Sequence, residues 1–176
     1  MIPIRVMEQA RQIKLLILDV DGVLTDGKLF FDYQGNEFKA FHARDGHGIK
    51  MLQQTGVEIA VISGRESLIV TKRMEELDVS LVYQGQKDKR AAFAELLQKL
   101  DLTPQQVAYV GDDVVDLPIM TQVGLAIAVA DANEAVIACA DWTTKLGGGL
   151  GAVREVCDMI MQSQDNFETI LADYLQ

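Results

Sequence analysis

LLILDVDGVLTD, residues 15–26, runs from four consecutive apolar residues into two aspartates spaced two apart, Asp19 and Asp21. An unbroken apolar run, without the alternation of a half-wet strand, suits a parallel strand covered on both faces. Val57–Ile62, the short Leu81–Tyr83, Val107–Val110 and Leu125–Val129 repeat the pattern. Helical spacing fills the gaps between them. Phe93, Leu96, Leu97 and Leu100 recur at i, i+3, i+4, i+7, as do Val153, Val156, Cys157 and Ile160, and then Phe167, Ile170, Leu171 and Tyr174. Thr103-Pro104-Gln105-Gln106 has the form of a capping box with proline at the first helical position. Alternating strands and helices predict an α/β fold: a Rossmann-like three-layer sandwich with a central parallel sheet, as one domain over residues 1–176. One segment breaks the alternation. Lys28–Phe31 and Glu37–Phe41 flank turn-forming residues 32–36, which predicts a β-hairpin over about 28–41, just after the first strand.

Composition narrows the function. The chain has 176 residues, 49% hydrophobic and 24% charged, enough for one core without a stapling metal or disulfide. Lys and Arg number 16 against 26 Asp and Glu, a net charge of −10, and a field of that sign repels polyphosphate, so a nucleic-acid partner is not expected. No stretch reaches the ~20 apolar residues that span a bilayer. The first residues carry Arg5, Glu8, Arg11 and Lys14 with no apolar core for a secretory signal. Cys139 and Cys157 match no zinc or redox spacing, and a buried reduced pair is expected. A cytoplasmic protein without membrane contact is the expectation.

The polar residues sit where the predicted strands end. Asp19 and Asp21 follow the first, Ser63-Gly64-Arg65 the second, Lys89 the third, and Gly111-Asp112-Asp113, with Asp116 one turn on, the fourth. Ligands of open α/β sheets bind at that edge. Each cluster alone is an ordinary turn or helix start; their conjunction and order point to phosphoryl transfer. Asp19, Asp21 and Asp112 disfavour one another's ionisation unless a cation neutralises them, and Mg²⁺ takes one or two carboxylates plus water and phosphate oxygens. Asp19 is then placed to attack phosphorus, Asp21 to protonate the leaving oxygen and later activate water, Ser63 to hydrogen-bond a phosphoryl oxygen, and Lys89 to offset its charge. The basic residues Arg44, Lys50, Arg65, Arg73 and Lys89, near strand and helix ends of an acidic chain, suggest a small polyanionic substrate.

DVDGVLTD, ISGR, Lys89 and VGDD together resemble the four motifs of the haloacid dehalogenase-type phosphatases. The resemblance implies that Mg²⁺ is held by the Asp19 side chain, the Asp21 backbone carbonyl and Asp112, with Asp113 and Asp116 behind them. Many members of that superfamily carry cap domains between motifs. Here Asp19 and Ser63 are 44 residues apart, and Ser63 and Lys89 are 26 apart, so a capless site is expected. GKLFFDYQGNEFKAFHARDGHGIK, ISGRES, YQGQKDK and GGGLGAVRE are similar to the capless, homotetrameric branch that hydrolyses 3-deoxy-D-manno-octulosonate (KDO) 8-phosphate in lipopolysaccharide synthesis. That resemblance implies substrate contacts by Asp21, His42, Ala43, Arg44, Asp45, Gly46, Lys50, Arg65, Arg73 and Lys89. It also implies that residues 148–155 help close the site. A capless site and a hairpin too small to be stable alone predict active sites shared between subunits, the hairpin acting as a flap. Arg65 stands where a related phosphatase of nine-carbon keto-sugar acids carries Glu, which favours the eight-carbon substrate. The nine-carbon acid is the alternative within the class. A phospho-acceptor signalling domain is the alternative outside it, and Asp21, with its acid/base role, separates the two.

Overall fold

The computed structural model describes residues 2–175. Along the chain, helix α1 (Ile4–Ala10) leads into strand β1 (Leu15–Leu18), a wide turn over Val20–Leu24, and the hairpin strands β2 (Phe30–Phe31) and β3 (Glu37–Phe38). Then come α2 (Ala43–Gln53), β4 (Glu58–Ile62), α3 (Leu68–Glu76), β5 (Leu81–Tyr83) and α4 (Lys89–Leu100). The chain ends with β6 (Val107–Gly111), α5 (Leu117–Met120), β7 (Leu125–Ala128), α6 (Glu134–Cys139), β8 (Trp142–Thr143), α7 (Ala152–Ser163) and α8 (Phe167–Asp173). Six strands form one parallel sheet in the order β5-β4-β1-β6-β7-β8.

The apolar run of β1 is continuous because both of its faces are covered. Leu16 and Leu18 join a core with residues of α1, α2, α3 and α7, whereas Leu15 and Ile17 join a second core against α4, α5 and α6. These are the three layers that the alternation of elements predicts. β1 lies between β4 and β6, with Leu18 level with Val61 on one side and Val110 on the other. After β5 the chain crosses to the far side of β1 to begin β6, so the strand order reverses at β1. A crevice opens at such a switch point, outside the strands' carboxyl ends.

Two local expectations change. The sheet has a sixth strand, β8, paired through Trp142 to Ile127; two residues carry no readable periodicity, and Trp142 reads from sequence as a core or contact residue. The hairpin is confined to two residues a strand, with Phe30 opposite Phe38 and Phe31 opposite Glu37. The Thr103–Gln106 capping box encloses a single tight turn, in which the Thr103 N–H donates to Gln106 Oε1 at 3.0 Å. Cys157 is buried and Cys139 half-buried, both unpaired. Among the described residues no helix is long and apolar enough to cross a membrane.

Candidate active site

β1, β4 and β6 deliver Asp19, Ser63 and Asp112 to the same edge, one residue past each strand. Neighbouring strands lie ~4.8 Å apart, so level strand ends bring these side chains together without further device. Asp19, Asp21, Ser63, Arg65, Lys89 and Asp112 line one cleft of about 290 Å³, with Asp113 at its rim.

Lys89 opens α4, whose start is fixed by the Asp88 side chain accepting the Arg90 N–H at 3.1 Å. From there its buried ammonium donates to Asp19 Oδ1 (2.7 Å), Asp116 Oδ1 (2.7 Å) and the Tyr109 hydroxyl (3.1 Å). Burial acts to lower the pKa of this lysine, but the carboxylates of Asp19 and Asp116 outweigh it and raise it. Asp116 is fully engaged. Its Oδ1 also accepts the Tyr109 hydroxyl at 2.6 Å, and its Oδ2 accepts the backbone N–H groups of Asp112 (3.0 Å) and Asp113 (3.2 Å). Tyr109 is absent from the sequence-based site; a single hydroxyl within the apolar run of β6 was its only signal.

The turn after β1 brings motif and metal-binding candidates into contact. Gly22 has φ +97°, and a Cβ there would run into the Asp112 carboxylate. Only glycine meets both conditions. Gly148 closes the turn from beneath, where a Cβ would strike the Gly22 carbonyl, and the Gly149 N–H donates to Val23 O at 3.0 Å. In the single chain the glycine loop at 147–151 packs against the turn through Gly148 and Gly149.

A cation fits the acids. Oxygens of Asp19, Asp112 and Asp116 lie within 4.8 Å of one another. Asp112 Oδ1 is buried with no partner among the described residues. Burial first, then Asp19, Asp116 and Asp113, pushes the Asp112 carboxyl up to about 8. Burial raises Asp19 to about 6, with Lys89 opposing and Asp116 adding. An orphaned oxygen among mutually repelling carboxylates is what a hard divalent cation satisfies. Asp116, with both oxygens engaged, is the least available of the three.

The other residues implied as substrate contacts lie elsewhere. His42 and Arg44 line a separate pocket of about 380 Å³ with Arg154 and Leu150. Ala43 is exposed beside them, and Asp45 is buried, its Oδ1 accepting the Arg154 N–H at 2.8 Å. Arg73 lies 5.8 Å from the Phe41 ring centroid and packs against Gly46, while Lys50 pairs with Asp78 at 2.8 Å on the surface. The chain's own cleft thus holds Asp21, Arg65 and Lys89 of that set. His42, Ala43, Arg44, Asp45, Gly46, Lys50 and Arg73 form a second cluster.

Residues 79–147 match the family model of the haloacid dehalogenase-like hydrolases. Over 163 residues, 93% of this chain and 87% of the relative, the sequence is 48% identical to 3-deoxy-D-manno-octulosonate 8-phosphate phosphatase of Escherichia coli. A crystal structure of that phosphatase from Moraxella catarrhalis, in complex with magnesium ion, phosphate ion and KDO, superposes with a TM-score of 0.94 at 41% identity, covering 96% of this chain and 97% of the other. The Yersinia pestis phosphatase superposes with a TM-score of 0.93 at 47% identity, covering 94% and 89%. The chain belongs to the haloacid dehalogenase-like hydrolases and, within them, to the family of the 3-deoxy-D-manno-octulosonate 8-phosphate phosphatases.

Proposed function

We propose that this single-domain chain is a Mg²⁺-dependent phosphatase that hydrolyses KDO 8-phosphate to KDO and inorganic phosphate, a step of lipopolysaccharide synthesis. One observation carries the reading: Asp19, at the end of the central strand, is gripped by Lys89 beside the unpartnered Asp112 Oδ1. The side chains of Asp19 and Asp112 and the backbone carbonyl of Asp21 would hold Mg²⁺, which when bound offsets the charge of the acids and the phosphoryl group. An Asp19 oxygen attacks phosphorus while the sugar oxygen departs with a proton from Asp21. Asp21 then takes a proton from the water that cleaves the aspartyl phosphate, regenerating both acids. Ser63 donates to a phosphoryl oxygen, while Lys89 holds Asp19 in place and offsets the charge of the phosphoryl group. Asp113 and Asp116 support this arrangement from behind.

We further propose a homotetramer with shared sites. The hairpin leaves Phe30 51%, Phe38 58% and Tyr33 95% exposed, an apolar face too large for an isolated two-stranded hairpin in water. The second basic cluster, around His42, Arg44, Lys50 and Arg73, lies outside its own cleft. It reaches substrate by facing the cleft of another copy. Two unpaired cysteines suit a reducing compartment, and the enzyme is read as cytoplasmic.

Phosphate release from KDO 8-phosphate and from a nine-carbon keto-sugar acid phosphate, with Mg²⁺ and with excess chelator, tests the function. Turnover of the eight-carbon ester that chelation abolishes and Mg²⁺ restores is expected. Full turnover in chelator, or preference for the nine-carbon ester, contradicts it.

A further inference from the structure

The hairpin turns its charged face inward. Along β3, Glu37 and the following Lys39 point to the cleft side, while Phe38 between them is exposed. The Lys39 side chain is 1% exposed, and its ammonium has two partners, Asp21 Oδ1 and, at 3.2 Å, Glu37 Oε1. A buried ammonium is costly without such partners, so these contacts fix where the Lys39 side chain sits. Glu37 ties this pair to the loop after β4. It accepts Arg65 Nη2 at 2.9 Å and the Ser67 hydroxyl at 2.6 Å. Arg65 Nε stands 3.5 Å from the other Asp21 oxygen, Oδ2. The two oxygens of Asp21 are therefore met from two directions, and among the described residues no other group bonds that carboxylate.

An acid/base works only when its carboxylate is aimed at the atom it protonates, and small misplacements cost rate steeply. Resting on the reading of Asp21 as that group, we propose that Lys39 is a positioning residue: held by Glu37, it fixes the orientation of the Asp21 carboxylate for proton transfer. Lys39 comes from the same chain as the Asp21 it orients. The hairpin thus has two separable faces, an inner one that serves the chemistry of its own cleft and an outer one, with Phe30 and Phe38, that serves assembly.

The test reads kcat/KM for a series of substituted phenyl phosphates at saturating Mg²⁺. These esters lack the sugar acid, so a lysine that merely binds the sugar affects none of them selectively. Nitrophenolate departs without a proton, whereas unsubstituted phenolate departs faster with one. Lys39→Met is expected to lose about 10–100-fold on phenyl phosphate, part of the ~10²–10⁴ of general acid–base catalysis, and under about threefold on 4-nitrophenyl phosphate. Lys39→Arg should recover most of the loss. All rates come from one preparation, so a partly unfolded variant lowers them together and leaves their ratio intact. Should Lys39→Met be insoluble, Glu37→Gln carries the same test and should steepen the dependence in the same sense. A parallel loss on both esters, or none, overturns the proposal while leaving the phosphatase reading in place. A wild type inert toward KDO 8-phosphate as well as these esters overturns that reading and the proposal with it.

Discussion

The Lys89 ammonium lies 2.7 Å from Asp19 Oδ1, with the lysine side chain 2% exposed. The same nitrogen holds Asp116, so one buried cation faces two acids whose own charges repel. Lys89→Met leaves those acids uncompensated. Removing one partner from a buried ion pair costs about 3–5 kcal/mol, and denaturant unfolding of the Mg²⁺-free variant should show a loss of that order. Phosphate release should fall by at least about 10²-fold, the scale of one lost electrostatic donor. Lys89→Arg should not rescue it, because a planar fork does not reproduce one nitrogen donating to Asp19, Asp116 and Tyr109.

Gly22→Ala should separate fold from metal. The position has φ +97°, and the new methyl group would displace the Asp112 carboxylate. Strain of this kind costs ~1–3 kcal/mol, so the variant should fold with a lowered Tm. Titration calorimetry should show Mg²⁺ affinity largely lost. Wild-type affinity would mean that Asp112 is not a ligand.

pH should act on the metal site with a definite sign. Asp112 is raised to about 8 and Asp19 to about 6, each from an ordinary value of 3.8. From the ordinary carboxylate range up to about pH 8, the folded metal-free chain holds protons that the unfolded chain has released. Its stability therefore falls as pH rises through that window. Mg²⁺ must displace those protons, so its binding strengthens with pH. The rise in Tm on adding Mg²⁺ should be larger near pH ~8.5 than near pH ~6. An equal rise at both would remove the carboxylates from the cation site.

Phe30→Asp tests assembly apart from the motifs. Phe30 pairs with Phe38 on the outer face of the hairpin, both more than half exposed in the single chain. Burying such a ring contributes roughly 1.5–3 kcal/mol, and a carboxylate there opposes burial in every subunit. Light scattering should show a tetramer for the wild type and smaller species for the variant, with activity falling alongside. A fully active wild-type monomer at micromolar concentration would rule out shared sites.

The reaction edge was legible in the sequence because each of Asp19, Ser63 and Asp112 follows an apolar strand run, and level parallel strands bring such residues together. Lys89 was legible as the residue opening α4. Pairings across distant chain segments were not. Tyr109 looks like one more apolar residue of β6, yet its hydroxyl bridges Lys89 and Asp116. Lys39 looks like a solvated hairpin residue, yet its ammonium is buried on Asp21. The two-residue β8 is set by pairing with β7, which no local period records. The resemblance implies one list of substrate contacts, whereas the fold splits it between the cleft and the cluster around His42 and Arg73, a separation that sequence order cannot express.

Asp19 is the center of the account, and Asp19→Asn tests it most directly. The amide keeps the side chain's shape and removes the attacking oxyanion. Phosphate release from KDO 8-phosphate, at saturating Mg²⁺ and with the folded fraction checked by thermal unfolding, is the measurement. The expected result is a fall of several orders of magnitude, since enzymes accelerate phosphate-monoester hydrolysis by up to ~10²¹ and this removes the group that bonds to phosphorus. A variant within about tenfold of wild type, a difference of only ~1.4 kcal/mol in barrier, would contradict it.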